Sequence, residues 1–345
     1  MQSNQPLTPK KTLKYYFSRY LIEAMGYMAT GLMASLIIGL ILSQLSKLPP
    51  LGFLAPYAAI VGAQSPVVGA SIGAAIAFGL GSKALVICGC VAAGAFGYQA
   101  GGPVGAYIGG VFGAELGRLV AGKTKVDILV TPIVTLCAGS FFAGLTGPYV
   151  QALMTGLGNA INHATELTPF FMGIAVSLLV GCALTAPISS AALCIMLDLS
   201  GLAAGAATVG CCAQMVGFAV VSFKDNRFGG LVAQGLGTTM IQFPNIMRRP
   251  QIWLAPTLAA MVLGPVSTVA FKMSNIASAA GMGTSGLVGS FGTFTAMAPA
   301  EGAGPVLMKI AILHFLLPGV LTLLFHLLFK RLGWVRDGDM KLGNL

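Results

Sequence analysis

The residues able to do chemistry in this chain are few, and most of them are uncharged groups set inside long apolar runs. One carboxylate and one imidazole join a set of hydroxyls and amides, and such groups can exchange hydrogen bonds with a polyhydroxyl solute. An anion site would instead need Arg or Lys in the interior, where they are nearly absent. We therefore predict a binding site for a small uncharged polar solute, with no catalytic residue, metal site or cofactor. The predicted site residues are Glu301, Ser189, Ser190, Gln242, Asn245, Thr185, Thr295 and His314.

Glu301 lies in a segment that a continuous helix is not expected to cross. Pro299 and Pro305 each remove a backbone donor, and Gly302 favours non-helical dihedrals. At membrane depth, freed backbone groups are tolerated only inside protein or beside a water-filled cavity, and transporters use such broken helices to bind their cargo. We predict a re-entrant hairpin in which Glu301 accepts hydrogen bonds from the solute. The alternative, from local sequence alone, is an ordinary external loop. His314 is either a proton-linked group or a packed imidazole.

The composition is that of an integral membrane protein. The chain has 345 residues, of which 56% are hydrophobic and only 8% are charged, whereas soluble domains carry about 25% charged residues. The mean hydropathy is +0.86. The apolar runs are continuous and lack the alternation of a membrane β-barrel, so the spans are predicted to be helices. No nucleotide-binding glycine loop or metal-ligand cluster is recognisable, so a transporter is favoured over an enzyme.

The basic residues predict the topology. They crowd both termini and the turns between alternate spans, which places these regions in the cytoplasm. We predict a tail at residues 1–20, one membrane domain at 21–329 and a second tail at 330–345. About eight to ten transmembrane helices fit, provided that Ser278–Ala298 dips into the membrane and returns. Lys47 and Lys272 then lie outside. The segment Thr146–Leu167 is predicted to be an amphipathic helix along the outer interface.

Two proline-interrupted segments of the chain share a weak sequence similarity. Residues 186–191 and 298–303 both begin with Ala-Pro and end with Ala. Paired interruptions in separate parts of a membrane chain point to a binding site between them. This pattern predicts that Ser189, Ser190 and Glu301 lie close together.

Residues 118–193 resemble a known family. They combine a basic turn, the run Lys-Val-Asp-Ile-Leu-Val-Thr-Pro-Ile-Val, a Gly-rich outward span, an Asn-rich amphipathic segment and Thr-Ala-Pro-Ile-Ser-Ser-Ala-Ala. The pattern is similar to membrane subunits (component IIC) of the bacterial phosphoenolpyruvate-dependent sugar phosphotransferase system, in particular the fructose-like branch. The resemblance is strongest to stand-alone perfringolysin-regulator-like IIC proteins, and it covers essentially the whole chain.

The resemblance implies a function as well as a fold. It implies a homodimer in the bacterial cytoplasmic (inner) membrane that carries a sugar by an elevator-like motion. It also implies that Glu301 contacts sugar hydroxyls, although Gly302 stands where a proline usually follows the glutamate. Any sugar phosphorylation would need separate cytosolic IIA and IIB phosphocarrier proteins. Two alternatives stay open: an ion- or proton-coupled transporter that works without phosphoryl transfer, and a membrane sensor or regulator with the transporter fold.

Overall fold

A computed structural model describes residues 13–46, 49–62 and 64–343 of the chain. Within these ranges the regular structure is helical, with no β-strand. Most of the predicted N-terminal tail and the turn at Lys47 lie outside them. The helices are α1 (Ser18–Ser43), α2 (Pro50–Ile60), α3 (Pro66–Gly79), α4 (Ala84–Val120), α5 (Asp127–Thr165), α6 (Pro169–Thr185), α7 (Ser190–Met196), α8 (Gly201–Val221), α9 (Phe223–Val232), α10 (Phe243–Arg248), α11 (Pro250–Ala270), α12 (Ala277–Ala280), α13 (Val288–Glu301) and α14 (Ala303–Arg331).

Six of these helices are long and apolar enough to cross a membrane: α1, α4, α5, α8, α11 and α14. Helix α4 consists of two arms, because Gly102 at its centre has a φ of +59° and precedes Pro103. Counted with α3, these elements make about eight crossings, which agrees with the predicted range. The predicted all-α integral membrane fold is confirmed.

One end of the bundle collects the basic residues of the first four helices. Arg19, at the start of α1, lies with its Nη2 2.6 Å from Glu115 Oε1 in the second arm of α4. The same guanidinium donates to the Leu80 carbonyl, just after α3, over 3.1 Å. The start of α1, the end of α3 and the end of α4 therefore lie together.

The C-terminal segment lies at the same end of the bundle. Glu23 of α1, Arg248 of α10 and Lys341 of the tail line one cavity of about 350 Å³. Arg249 Nε lies 3.8 Å from Asp339 Oδ1. The described beginning and end of the chain thus share one side, which we call the basic end. Its cytoplasmic location stays a prediction.

The segment between α11 and α14 enters and leaves the bundle at the opposite end. Lys309, in the second turn of α14, donates to the Phe271 carbonyl just after α11 over 3.0 Å. Its Nζ also lies 2.6 Å from Oε2 of Glu301, the last residue of α13. Both ends of residues 272–302 are therefore held at one place. The segment dips in and returns, as the charge pattern predicts.

A second segment returns to the same end. The Thr268 hydroxyl, near the end of α11, donates to the carbonyl of Pro169, where α6 begins, over 2.7 Å. Gly201, where α8 begins, exchanges backbone hydrogen bonds with Asn275. Helix α6 therefore runs from this end into the bundle. The chain then returns through α7 to the same end, where α8 begins its crossing. This division of residues 168–223 was open in the sequence.

Close helix packing in this half of the bundle depends on glycine. A Cβ at Gly210 of α8 would lie 2.1 Å from the Ser177 carbonyl oxygen of α6. A Cβ at Gly264 of α11 would lie 2.0 Å from the Gly173 oxygen. Small residues allow membrane helices to approach closely, and here they join α6, α8 and α11 into one unit.

The segment Thr146–Leu167 differs from its prediction as a separate helix. Residues 146–165 continue α5, whose 39 residues extend about 58 Å at roughly 1.5 Å per residue. That length exceeds the roughly 30 Å apolar core of a bilayer. Tyr149 and Leu153 are exposed, but Ile161, farther along the same segment, is fully buried against the core. The apolar side chains of the segment therefore do not all face outward.

Candidate functional site

Three chain interruptions meet halfway through the bundle. These interruptions are the break after α6, the turn that follows α9, and the tip of the hairpin between α12 and α13. A Cβ at Gly283, in the hairpin tip, would lie 2.7 Å from Cys211, halfway along α8. The tip therefore reaches the middle of that crossing, where irregular backbone must find its hydrogen bonds inside the protein.

Buried hydroxyls supply those hydrogen bonds. Ser190 Oγ donates to the Gly281 carbonyl over 2.7 Å. Thr284 Oγ1 donates to the Gly235 carbonyl over 2.5 Å, and Ser285 Oγ donates to the Gly237 carbonyl over 2.8 Å. Each hydroxyl thus satisfies a carbonyl of another interrupted segment. We call Ser190, Thr284 and Ser285, with the carbonyls they bind, the tip cluster.

Thr185 belongs to a second buried network directly beside the break. Its Oγ1 lies 2.9 Å from Thr239 Oγ1 and donates to Gln214 Oε1 over 3.2 Å. The Trp253 indole N–H donates to the same amide oxygen over 3.0 Å. Gln214 is completely buried in the middle of α8. Sequence reasoning missed it, although a lone amide in a 21-residue apolar helix is a signal that was available.

A cavity of about 190 Å³ opens beside the tip cluster. Its wall is formed by the kink of α4, the second half of α5 and the break between α6 and α7. None of its lining residues is Asp, Glu, Lys or Arg. The polar lining residues are Gln64, Tyr98, Gln151, Thr155 and Ser189.

Ser189 is the predicted site residue that reaches this cavity. It is partly buried, and it precedes Ser190 of the tip cluster. The remaining polar lining was not predicted. Gln64 lies at a proline-broken turn before α3, and Gln151 lies in the segment interpreted as an interfacial helix.

Gln242 and Asn245 hold the C-terminal tail. Gln242 Nε2 donates to the Met340 carbonyl over 3.0 Å, and Asn245 Nδ2 donates to the Lys341 carbonyl over 3.0 Å. Asn245 also donates to Gln242 Oε1 over 2.8 Å. Both amides are buried. Gln242 Nε2 also donates to Gln234 Oε1 over 3.0 Å, next to Gly235 of the tip cluster. The two amides therefore form a structural network that joins the tail at the basic end to the segment that follows α9.

Glu301 and Thr295 lie on the far arm of the hairpin. The Glu301 carboxylate pairs with Lys309, and its side chain is about 36% exposed. Thr295 is exposed, and its hydroxyl donates to the Phe291 carbonyl of its own helix over 2.9 Å. Helix α13 separates Glu301 from the hairpin tip by 14 residues, or about 21 Å. The structure therefore does not bring Glu301 to Ser189 and Ser190, and the partner of Ser190 is Gly281.

His314 lies in a π-helical turn of α14, at residues Ala311–Leu316. It is fully buried, and its Nδ1 lies 3.0 Å from the Ser290 hydroxyl near the start of α13. Its Nε2 has no partner among the described residues. Single π-turns are frequent at functional sites. The imidazole thus connects α14 to the inner end of the hairpin arm.

The sequence profile of the family described as "Phosphotransferase system, EIIC" matches residues 22–342. The chain belongs to this family. The match spans nearly the whole EIIC chain, from α1 to the tail, so the fold described above is that of an EIIC membrane subunit. A search of curated proteins and a search of solved structures each returned no match. The EIIC identity confirms the predicted family, whereas the fructose-like subtype stays a prediction.

Proposed function

We propose that this EIIC subunit carries a small uncharged solute of the sugar class across the membrane, and that the solute binds in the 190 Å³ cavity beside the tip cluster. The observation that supports this site is its lining: five hydrogen-bonding residues and no charged one. Sugar hydroxyls are neutral donors and acceptors, and amide and hydroxyl side chains match them. Tyr98 adds an aromatic surface with a polar edge.

The position of the cavity supports movement as well as binding. Its wall combines the α4–α5 half of the chain with the break at residues 186–189, whose neighbour Ser190 is bonded to the hairpin tip. A shift of the tip cluster relative to α4 and α5 would therefore carry one wall of the site with it. Alternating access by motion of one unit against another around a central site is the usual transporter mechanism.

The cavity of about 350 Å³ at the basic end fits this solute less well than the 190 Å³ cavity does. It is lined by Glu23, Arg248 and Lys341, and charged groups favour an ionic ligand. Of the eight predicted site residues, we retain Ser189, Ser190 and Thr185 in or beside the solute site. The other five lie on elements that do not line this cavity: Gln242, Asn245, Glu301, Thr295 and His314.

A binding experiment tests the proposal. Neutral monosaccharides, polyols, sugar phosphates and amino acids are screened for thermal stabilisation of the purified protein, and the strongest binder is titrated. Gln151→Ala should weaken binding of a neutral polyhydroxyl solute about 3- to 10-fold, the loss expected for about one hydrogen bond. Gln251→Ala, an exposed amide outside this cavity, is the matched control. Equal affinities in both variants, or binding of charged solutes only, would contradict the proposed site.

The transport reaction needs a second measurement. With soluble IIA and IIB proteins and phosphoenolpyruvate present, reconstituted protein should accumulate a sugar phosphate inside vesicles. The proposed separate phosphocarrier partners predict no phosphorylated product when they are left out.

His314 supports a second candidate, proton-coupled transport without phosphoryl transfer. A buried imidazole with one unpartnered nitrogen could bind a proton at membrane depth. This reading predicts uptake driven by a pH gradient alone and its loss in His314→Gln. Uptake that needs the phosphocarriers and ignores the gradient would exclude it.

A further inference from the structure

A groove of about 430 Å³ lies at the basic end between the last turn of α8, helix α9 and the last turns of α14. Its walls are mainly apolar and include Leu231 of α9 and Leu323 and Leu327 of α14. Its nitrogen-bearing lining residues are Lys224, His326 and Lys330. The groove thus combines an apolar channel with a cluster of basic side chains, and it is separate from the solute cavity.

The basic side chains in the groove are only partly compensated. Lys330 pairs with Asp337 of the tail. Lys224 has no ion pair or side-chain hydrogen bond within residues 13–46, 49–62 and 64–343. The neighbouring carboxylate of Asp225 is turned to the tail, where it accepts the Gly338 amide over 3.1 Å. His326 Nδ1 is shielded from solvent and has no partner in the same ranges. Lys224 is thus a cation without a direct ion pair in these ranges, although Asp337 lies near enough to act on it electrostatically, and His326 Nδ1 is an unused buried polar atom.

The surroundings place the groove at a membrane boundary. Phe223 and Phe228 of α9 are 41% and 71% exposed, and they flank Lys224 and Arg227 in the sequence. Aromatic groups beside lysine and arginine are typical of elements that lie in the interface between headgroups and acyl chains. Helix α14 ends here with Lys330 and Arg331.

We propose that this groove binds an anionic phospholipid. The lipid phosphate lies at Lys224 and His326, and one acyl chain lies along Leu323 and Leu327. Basic pockets between membrane helices on the cytoplasmic side are suited to acidic headgroups, and the apolar wall accounts for a ligand that carries a chain. A free phosphate ion would use the cations but leave that wall uncovered.

Thermal stability in neutral detergent tests the lipid site. Phosphatidylglycerol and phosphatidylcholine with identical chains are titrated into wild-type protein and into Lys224→Gln. Lys123→Gln, an exposed lysine on another loop, is the matched control. Phosphatidylglycerol should raise the melting temperature of the wild type and the control more than phosphatidylcholine does. In Lys224→Gln the concentration for half-maximal stabilisation should rise about fivefold, the effect of roughly one lysine at an anionic surface.

Two further arms separate the lipid from other anions and from misfolding. Leu327→Trp fills the groove without changing its charge, and it should abolish the preference for phosphatidylglycerol. Inorganic phosphate and glycerol 3-phosphate should produce no comparable stabilisation. Equal effects of both lipids on the wild type, an unchanged preference in Lys224→Gln or Leu327→Trp, or full stabilisation by inorganic phosphate would each overturn the proposal. None of these outcomes bears on solute binding, which is measured at a separate cavity.

Discussion

The Nζ of Lys309 lies 2.6 Å from Oε2 of Glu301. Glu301 is the last residue of the hairpin arm α13, and Lys309 lies in the second turn of the last helix, α14. The same ammonium donates to the Phe271 carbonyl, where the hairpin begins. One side chain thus holds both ends of residues 272–302. The carboxylate that the sequence predicts to bind the solute is therefore paired with Lys309 at the base of the hairpin.

A double-mutant cycle tests whether Glu301 stabilises the base of the hairpin through Lys309 or binds the solute. Glu301→Gln and Lys309→Gln should each lower the free energy of unfolding by about 0.5–1 kcal/mol, because the pair is partly exposed and screened. The double variant should lose little more than either single one. Lys272→Gln, at the same end of the molecule, should have no effect on stability. Chemical or thermal unfolding in detergent gives these values.

Solute affinity gives the other half of this test. If Glu301 only holds the hairpin, the two single variants should bind the solute equally well. A large loss of affinity in Glu301→Gln with none in Lys309→Gln would instead restore the role that the sequence predicts for this carboxylate.

The tail should loosen when its amide partners are removed. Asn226 donates to the Met340 carbonyl over 2.9 Å and accepts the Leu342 amide over 2.8 Å. Asn226→Ala removes both bonds, so the Leu342 amide should exchange its hydrogen about tenfold faster, equivalent to about 1.4 kcal/mol. Asn159→Ala, on the exposed face of α5, is the control. Unchanged exchange at Leu342 would show that the tail is held by other contacts.

Thr185 and Thr295 should respond very differently to the same change. Thr185→Val leaves both Thr239 and Gln214 short of a partner in a buried network, and we expect a loss of about 1–3 kcal/mol. Thr295→Val removes only a bond to the Phe291 carbonyl on an exposed helix face, so its cost should stay below about 0.5 kcal/mol. Melting temperatures of the two variants measure the difference. Equal losses would contradict the network.

The hairpin tip should be intolerant of a single methyl group. In Gly281→Ala the new Cβ would lie 2.4 Å from the Ser190 carbonyl oxygen, so the tip must move away from α7. We expect a loss of about 1–3 kcal/mol and slower uptake by proteoliposomes. Gly304→Ala, where no atom lies within 4 Å, should leave both unchanged. Normal uptake by Gly281→Ala would show that the tip contact is not needed for transport.

Local sequence patterns were sufficient for the outline of the fold. Apolar runs predicted the helices, and the basic residues predicted that Ser278–Ala298 dips into the membrane and returns. The predicted break in the chain lies at Pro299 and Glu301, whereas the hairpin tip lies at the three glycines of residues 281–286. Gly283 and Gly286 both have positive φ there, the backbone conformation that favours glycine.

The partners of the polar side chains could not be read from the sequence. Gln242 binds the Met340 carbonyl, 98 residues away, and Ser190 binds the Gly281 carbonyl, 91 residues away. Such pairings depend on how helices pack across the whole chain, and a residue type cannot specify its partner. The sequence therefore identified polar groups set among apolar residues, but it did not distinguish the buried ones from the exposed Thr295, and it assigned the tail-binding amides to the solute site.

The most direct test of the proposed topology is the labelling of single cysteines in intact cells, in a variant whose exposed Cys88 and Cys137 are replaced by alanine. Cysteines introduced at positions 272 and 304 should both react with a membrane-impermeant thiol reagent added outside, because both ends of the hairpin lie on one face. A cysteine at position 343 should react only after the cells are opened. Reaction at 272 but not at 304, or reaction at 343 in intact cells, would contradict the returning hairpin and its orientation.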